Sequence, residues 1–287
     1  MFDKIIPTKI THLFDLIRLD KPIGFMLLMW PSWFTLANLS KDIPIQIEWY
    51  FYFFIGAFLM RSAGCIINDL IDINIDKYVA RTSSRPLTSN KVSKIEAFLL
   101  LMFLLFFSFL ILLKFNVNTI FMGILSIPLI IIYPFLKRYT YWPQLGLAII
   151  FNWGVLIVSI QFVGAITLNY IFMYIACIAW TLAYDTIYAY QDREDDIINN
   201  IKSTAVLFGS KGFKYVQIFY NIFFILIGFL GFYSTQSFIS LIVIITIIIA
   251  MNIYLKKWEL TSKKSSNYYF KFNNIIGLTC FLFLFLF

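Results

Sequence analysis

Three oxygen-bearing side chains recur at four-residue intervals in one short segment: Asn68, Asp72 and Asp76. On a continuous helix, side chains four and eight positions apart lie on the same face, so these three would form a stripe. Neighbouring carboxylates repel each other unless a cation lies between them, and a hard cation prefers oxygen ligands. The stripe therefore predicts one half of a metal site.

A second acidic group has a similar arrangement. Asp185, Asp192 and Asp196 are seven and four residues apart, which again predicts one face of a continuous helix. Mg²⁺ usually takes one or two carboxylates and completes its shell with water and phosphate oxygens. Two facing groups therefore predict Mg²⁺ ions around a diphosphate, although Mn²⁺ would satisfy the same ligands. The predicted metal ligands are Asn68, Asp72, Asp76, Asp192 and Asp196.

Basic side chains near both acidic groups could neutralise the diphosphate. In chain order they are Arg81, Arg85, Lys137 and Lys202. A site that combines a metal, a diphosphate and these cations indicates metal-assisted departure of the diphosphate, in which negative charge develops on the leaving oxygen.

The rest of the chain must hold these charged groups within a lipid environment. Of the 287 residues, 61% are hydrophobic and 13% are charged, whereas soluble domains are roughly 45–50% apolar and about 25% charged. A water-soluble globule is therefore excluded. Apolar runs such as Phe98–Leu113 are continuous, whereas the strands of a membrane barrel alternate polar and apolar residues. The predicted fold class is an all-α polytopic membrane protein.

Nine apolar segments are predicted to be transmembrane helices. They lie at roughly 22–40, 47–67, 95–114, 117–136, 145–165, 169–190, 214–233, 236–255 and 270–287. No linker divides the chain, so residues 1–287 are predicted to form a single transmembrane domain. Two long polar loops lie at about 68–94 and 191–213. Each of the two acidic groups lies where a predicted span meets one of these loops.

The distribution of basic residues predicts the orientation in the membrane. Most lysines and arginines lie in the N-terminal segment, the two long loops and other connections on that side, whereas the opposite loops contribute only Lys41 and Lys114. The positive-inside rule then places the N-terminus and both long loops in the cytoplasm and the C-terminus outside. The net charge of +8 reflects this bias, so no nucleic-acid partner is predicted. One histidine and three unpatterned cysteines do not predict a further metal site.

Several motifs resemble those of the UbiA superfamily of intramembrane aromatic prenyltransferases. The segment 68–76, NDLIDINID, is similar to its NDxxDxxxD signature, and 192–196, DREDD, is similar to its second DxxxD motif. The segment 133–137, YPFLK, is similar to its YxxxK element. Flanking segments resemble the 4-hydroxybenzoate polyprenyltransferase branch: 18–24, 61–65, 81–87, 184–189 and 202–205. The last three apolar segments agree only in hydropathy.

The resemblance implies nine helices around a central cavity that is capped by the two cytoplasmic loops. It implies transfer of a polyprenyl chain from polyprenyl diphosphate to the ring of 4-hydroxybenzoate, ortho to the hydroxyl, in ubiquinone biosynthesis. The expected surroundings are membrane lipid, in the bacterial inner membrane, with the active site facing the cytoplasm.

For this reaction the predicted catalytic residues are Asp72, Asp76, Lys137, Arg138, Asp185, Asp192 and Asp196. Asn68 would supply an amide oxygen to a metal or bind the phosphate. The ring faces of Tyr133 or Tyr188 could stabilise an allylic cation. Asp185 is a candidate base, or a partner that orients the phenol.

The carboxylate of the acceptor requires a cation, and two arginines compete for this role. Arg138 follows Lys137 directly, and its planar guanidinium suits a carboxylate. Arg61 lies seven residues before Asn68 on the same predicted helical face, deeper in the membrane. The two assignments remain open at this stage.

Two other functional classes fit the same residues less well. A secondary transporter would place its acids near the middle of the bilayer, whereas these lie at the cytoplasmic ends beside basic residues. A phosphotransferase acting on CDP-activated alcohols would carry a DGxxAR segment, which the sequence lacks. Within the prenyltransferases, another acceptor such as 1,4-dihydroxy-2-naphthoate or homogentisate is the alternative, or haem for a farnesyl transferase.

Overall fold

The computed structural model describes residues 8–74, 76–79 and 81–287, and the regular elements in these residues are helices. The α-helices are α1 Thr8–Leu16, α2 Ile23–Leu39, α3 Ile47–Asp72, α4 Lys94–Leu112, α5 Val117–Ile132, α6 Leu136–Tyr139, α7 Pro143–Phe151, α8 Trp153–Val163, α9 Leu168–Ala189, α10 Arg193–Ile198, α11 Thr204–Phe208, α12 Gly212–Thr235, α13 Phe238–Leu255 and α14 Lys263–Leu286. Short 3₁₀-helices occupy Asp76–Tyr78, Tyr133–Phe135 and Gly209–Lys211.

The helices confirm an all-α membrane protein. Among the described residues, eight helical stretches are long and apolar enough to cross a bilayer, and three of these join shorter helices: Val117–Tyr139, Pro143–Val163 and Thr204–Thr235. The first apolar helix, α2, has 17 residues and is shorter than these. The predicted count of nine spans and the orientation of the N-terminus therefore stay predictions.

The closely packed part of the bundle contains α2, α9, α12 and α14, in which α9 packs along α12 and α2 along α14. Trp180 stacks on Phe223 with ring centroids 5.2 Å apart, and both side chains are buried. The indole N–H of Trp180 and the hydroxyl of Tyr220 both donate to Oδ1 of Asn273, at 2.8 and 2.9 Å. Packing and hydrogen bonds of this kind hold membrane helices together, because lipid supplies little hydrophobic driving force.

The first and last apolar helices are also joined by a polar contact. Trp30 on α2 donates its indole N–H to Oδ1 of Asn274 on α14, at 2.9 Å. A cavity lies within the bundle and is lined by residues of α2, α3, α4, α5, α7, α8 and α9. Asn152 interrupts the span formed by α7 and α8, and its side-chain amide donates to Ala148 and to Thr181.

Both acidic groups lie on broken helices, so the predicted continuous stripes are wrong. Helix α3 ends at Asp72, and Asp76 lies in the following 3₁₀-helix. Arg85 donates to Asp69 at 2.9 Å and to Asp76 at 2.7 Å, which holds Asp76 back beside the end of α3.

The second acidic group is divided in the same way. Helix α9 carries Asp185 but ends at Ala189, and Asp192 is the residue before α10, which contains Asp196. Just beyond α9, the hydroxyl of Tyr190 donates to the carbonyl oxygen of Gly209 at 2.6 Å. This contact fixes the bend between α9 and the loop that follows.

Candidate active site

A cavity of about 850 Å³ connects the two acidic groups with the interior of the bundle. Its polar end, called the mouth here, is lined by acidic residues from both groups: Asp69, Asp72, Asp76, Asp192 and Asp196. Its middle is lined by Arg61, Tyr133, Asp185 and Tyr188. Beyond the middle, apolar side chains from α2, α3, α4, α5, α7 and α8 line the cavity.

The first acidic group is neutralised by two arginines. Asp69 is fully buried, and it accepts hydrogen bonds from Arg18 at 2.6 and 2.9 Å and from Arg85 at 2.9 Å. Arg85 also pairs with Asp76. Burial raises the pKa of Asp76, and the charge of Arg85 opposes this increase. The network fixes Asp76 against α3, although no helix connects them.

Asp72 faces a lysine from the opposite side of the cavity. Lys137 donates to Oδ2 of Asp72 at 2.5 Å, and the carboxylate is fully buried. The other oxygen, Oδ1, is shielded from solvent and has no hydrogen-bond partner among the described residues. Nη2 of Arg138 lies 3.8 Å from this oxygen. The lysine of the YPFLK segment therefore lies beside one of the predicted metal ligands, and its role toward a diphosphate stays a prediction.

In the second acidic group, Asp192 is paired with an arginine and Asp196 with a hydroxyl. Arg81 binds both oxygens of Asp192, with donor–acceptor distances of 2.6 to 3.1 Å, and its guanidinium lies 5.1 Å from the ring centre of Tyr188. Asp196 accepts a hydrogen bond from the hydroxyl of Ser203 at 3.0 Å. Burial raises the pKa of Asp196 to about 7, although this hydrogen bond lowers it.

The donors at the mouth suit a hard cation, but they are not gathered into a metal cage. Among the described residues, no three acidic, histidine or cysteine side chains could together hold a metal ion. The carboxylates nevertheless line one cavity, and Oδ1 of Asp72 is buried without a partner. This fits an ion that shares its shell with phosphate oxygens and water, as Mg²⁺ does. The ligand set that includes Asn68, which also lines the cavity, stays a prediction.

Arg61 occupies the middle of the cavity. Its Nε is shielded from solvent and has no hydrogen-bond partner in the described part of the chain. Its guanidinium lies 5.6 Å from the ring centre of Phe151, and a Cβ at position 24 would come within 2.8 Å of Nε, so Gly24 permits this approach. Tyr133, Tyr188 and Asp185 are its electrostatic neighbours.

The structure separates the two arginines that compete for the acceptor. Arg138 does not belong to the residues that line the cavity, and its side chain is 40% exposed and lies over the ring of Phe135. Lys202 does line the cavity, but its ammonium donates to the carbonyl oxygen of Tyr139 at 3.0 Å. A residue that binds the carboxylate of the acceptor must line the cavity. Arg61 does so, whereas Arg138 does not.

Sequence reasoning missed four residues that line the cavity. Arg18 and Asp69 stand in the recognised motifs but were assigned no role, since their pairing joins distant segments. Asn267 and Lys271 come from α14, in the part of the chain that carries no motif. Their four-residue spacing, in the polar first half of this helix, was the available signal.

Comparisons with known proteins agree with this arrangement. The model of the UbiA prenyltransferase family matches residues 28–275. A protein named 4-hydroxybenzoate octaprenyltransferase, from Francisella tularensis subsp. mediasiatica, is 40% identical over 272 residues, which cover 94% of each chain.

Solved structures support the fold at much lower identity. The apo structure of a UbiA homolog from Aeropyrum pernix K1 superimposes with a TM-score of 0.72 at 19% identity, covering 89% of this chain and 96% of that one. A UbiA homolog from Archaeoglobus fulgidus bound to DMAPP and Mg²⁺ gives a TM-score of 0.68 at 17% identity, covering 95% and 97%.

Proposed function

The chain belongs to the UbiA prenyltransferase family, and we propose that it transfers a polyprenyl chain from polyprenyl diphosphate to 4-hydroxybenzoate. The new bond forms at the ring carbon ortho to the hydroxyl, and diphosphate is released, as a step of ubiquinone biosynthesis. The observation that carries this proposal is the single cavity that joins a charged mouth to an apolar interior. A prenyl diphosphate has the same division between a charged head and an apolar chain.

The metal proposed for the mouth is Mg²⁺. Asp72 and Asp76 would hold it on one side and Asp192 and Asp196 on the other, with Asn68 as a further oxygen ligand or a partner of the phosphate. When bound, the ion neutralises charge on the leaving diphosphate. The Archaeoglobus fulgidus neighbour, which holds DMAPP and Mg²⁺, supports this choice of ion.

The basic residues of the mouth are proposed to bind the diphosphate. Lys137 lies beside Asp72 and can turn to a phosphate oxygen, since its ammonium carries three donors. Arg81, Arg85 and Lys202 would contribute further positive charge. When the bond between C1 of the donor and oxygen breaks, the electron pair leaves with the diphosphate, and these cations stabilise it.

The acceptor is proposed to lie in the middle of the cavity. Arg61 supplies the cation for its carboxylate, because the guanidinium is shielded and has an unpartnered N–H. The rings of Tyr133 and Tyr188 line the same region, where they can face an allylic cation. The ring carbon forms its bond to C1 of the donor, and the ring proton then leaves to Asp185.

The charge distribution supports a cytoplasmic mouth in the bacterial inner membrane. Arg18, Arg81, Arg85 and Lys202 all lie at the end of the bundle that carries the mouth. Under the positive-inside rule, this end faces the cytoplasm. A water-soluble aromatic acid and the released diphosphate would then exchange with the cytoplasm.

The proposal is tested with the purified protein in lipid vesicles. Octaprenyl diphosphate is supplied with labelled 4-hydroxybenzoate or labelled 1,4-dihydroxy-2-naphthoate, with Mg²⁺ or with EDTA. We expect labelled lipid from 4-hydroxybenzoate only when Mg²⁺ is present. Labelling of the naphthoate alone would change the acceptor and retain the reaction. If correctly inserted protein transfers the prenyl chain to neither acceptor, the proposed enzyme activity is contradicted. The secondary transporter then becomes the hypothesis to test.

A further inference from the structure

A chain of hydrogen bonds leads from the break between α7 and α8 to the wall of the cavity. The side-chain nitrogen of Asn152 donates to the carbonyl oxygen of Ala148 at 2.6 Å and to Oγ1 of Thr181 at 2.9 Å. The hydroxyl of Thr181 donates in turn to the hydroxyl oxygen of Tyr184 at 3.1 Å. All three polar side chains are buried, and Tyr184 is the one that lines the cavity.

The direction of this chain follows from its first member. A carbonyl oxygen only accepts hydrogen bonds, so the nitrogen of the Asn152 amide, and not its oxygen, must face Ala148. Because the same nitrogen donates to Thr181, the proton of the Thr181 hydroxyl is left for Tyr184. Within the described residues, no further hydrogen bond is formed by the Tyr184 hydroxyl. Its own proton is therefore available to an acceptor atom in the cavity.

The ring that carries this hydroxyl is held by its neighbours. Trp180 meets the Tyr184 ring edge to face, with centroids 5.4 Å apart, and Phe270 on α14 packs on the ring with centroids 6.1 Å apart. Arg61 and Asp185 are electrostatic neighbours of the hydroxyl. Tyr184 therefore holds a hydrogen-bond donor at the middle of the cavity, near the arginine to which the acceptor carboxylate is assigned.

The buried amide of Asn152 indicates that the chain does more than fill space. Its Oδ1 is shielded from solvent and has no hydrogen-bond partner among the residues that the structure describes. A polar atom buried without a partner costs free energy, and an apolar side chain at this position would avoid that cost. A donor of fixed direction at the cavity end of the chain gives the amide a role.

We propose that the Tyr184 hydroxyl donates a hydrogen bond to the phenol oxygen of the acceptor and so selects a ring whose hydroxyl lies opposite its carboxylate. The inference rests on the proposed function, in which Arg61 binds that carboxylate. Contacts at opposite ends of the ring fix its long axis in the cavity. The new bond forms at the carbon beside the one that carries the phenol oxygen, so Tyr184 positions the reacting part of the ring. Benzoate, which lacks the hydroxyl, would leave the Tyr184 donor without a partner.

The first experiment measures the coupling between the Tyr184 hydroxyl and the ligand hydroxyl without turnover. Calorimetry gives the affinities of 4-hydroxybenzoate and benzoate for protein in lipid nanodiscs, with Mg²⁺ and an unreactive thiolodiphosphate analogue of the donor present. We expect the unmodified protein to bind 4-hydroxybenzoate about tenfold more tightly than benzoate, and Tyr184→Phe to bind the two acids within about twofold of each other. Tyr174→Phe is the control on the same helix, because its hydroxyl donates to Ile149 outside the cavity lining, and it should retain the tenfold preference.

The outcomes separate this inference from the proposed function. A preference of equal size in Tyr184→Phe and in the unmodified protein would overturn the inference, as would the absence of a preference in the unmodified protein. If the unmodified protein binds neither acid, or does not prenylate 4-hydroxybenzoate, the proposed function is contradicted instead.

Variants of Thr181 test the direction of the chain with the Tyr184 ring intact, and they replace Tyr184→Phe if that variant does not insert. Thr181→Val has nearly the same shape but cannot donate to Tyr184, whereas Thr181→Ser retains the hydroxyl. We expect Thr181→Val to lower the preference for 4-hydroxybenzoate about threefold with an unchanged affinity for benzoate, and Thr181→Ser to retain the preference. In turnover, the loss should appear in KM for the acid rather than in kcat. An equal loss of affinity for both acids in Thr181→Val, or no loss for either, would overturn the role of the chain.

Discussion

The mouth and the middle of the cavity differ in how their charges are neutralised. At the mouth, acids and bases already form pairs, such as Lys137 with Asp72 and Arg81 with Asp192. In the middle, Arg61 has a shielded Nε without a hydrogen-bond partner in the described residues. The bases at the mouth are therefore already hydrogen-bonded to acids, whereas the Nε of Arg61 in the middle, although Asp185 is its electrostatic neighbour, is not.

This difference affects what a ligand must exchange on binding. A diphosphate that binds at the mouth must separate a base from the acid with which it is paired. The loss of that buried ion pair offsets part of the attraction between the base and the diphosphate. A carboxylate in the middle meets Arg61 without displacing a hydrogen-bond partner. We therefore expect diphosphate binding at the mouth to require a cation, which takes the place of the displaced bases beside the acids. The carboxylate of the acceptor should bind to Arg61 in the middle without such a cation.

The strongest test of the mouth is Asp72→Asn, which keeps the size of the side chain and removes its charge. We expect kcat to fall by about a thousandfold, because the metal ion that would neutralise the leaving diphosphate loses a charged ligand. Turnover is measured at saturating Mg²⁺ on inserted protein. Glu194→Gln, at an exposed acid of α10 that does not line the cavity, is the control and should retain activity. Activity of Asp72→Asn near that of the control would contradict the proposed metal site.

Arg61→Gln tests the middle. We expect KM for 4-hydroxybenzoate to rise about a hundredfold, with a smaller change for the donor, because the carboxylate loses its charged hydrogen bonds. Arg138→Ala provides the comparison and should change KM for the acid only slightly, since its side chain lies outside the cavity lining. The reverse order of the two variants would assign the carboxylate to Arg138.

Arg18→Ala tests whether the pairing at the mouth positions its acids. Arg18 adopts a φ of 60°, which is rare for residues with a side chain, and both oxygens of Asp69 hold its guanidinium. We expect a stability loss of about 2 kcal/mol, a fall in kcat of about tenfold and a higher Mg²⁺ requirement. Thermal unfolding in detergent and Mg²⁺ titration measure these effects. Lys9→Ala, which removes the exposed pair with Glu96, should change stability little and leave the Mg²⁺ requirement unchanged. A normal Mg²⁺ requirement in Arg18→Ala would mean that Arg18 is only structural.

Ser203→Ala is expected to have the smallest effect. The hydroxyl of Ser203 binds Asp196 and also accepts the backbone N–H of Val206 at the start of α11. Its loss should lower stability by about 1 kcal/mol and activity a few-fold. Ser93→Ala removes a similar cap from α4, outside the cavity lining, and should lower stability without the loss of activity. Equal activity of the two variants would show that the bond to Asp196 contributes nothing.

The bundle could be predicted because apolar length determines which segments become spans. The predicted spans 47–67 and 169–190 correspond to α3 and α9, and both acidic groups occur at their ends. Asp72, Lys137 and Arg81 were also recognised, since their types and spacing reflect the chemistry of a diphosphate.

The unpredicted details depend on contacts between distant segments. No local sequence pattern indicates that Arg85 forms hydrogen bonds with both Asp69 and Asp76. The predicted helical stripe therefore continued beyond Asp72, where the helix ends. Sequence proximity favoured Arg138 because it follows Lys137, yet the direction of a side chain on a four-residue helix depends on what packs around it. The role of α14 in the lining likewise follows from its packing against α2 and α9.

The hydrogen bond between Trp30 and Asn274 has a consequence for biosynthesis. The chain is made from its N-terminus, so α2 is synthesised long before α14 exists. During that interval the indole N–H of Trp30 lacks its partner, and the face that α14 will cover meets lipid or an insertion factor. The bundle therefore closes only when its last helix has been inserted, and ribosome-bound chains that stop before α14 should be more sensitive to protease than chains that include it.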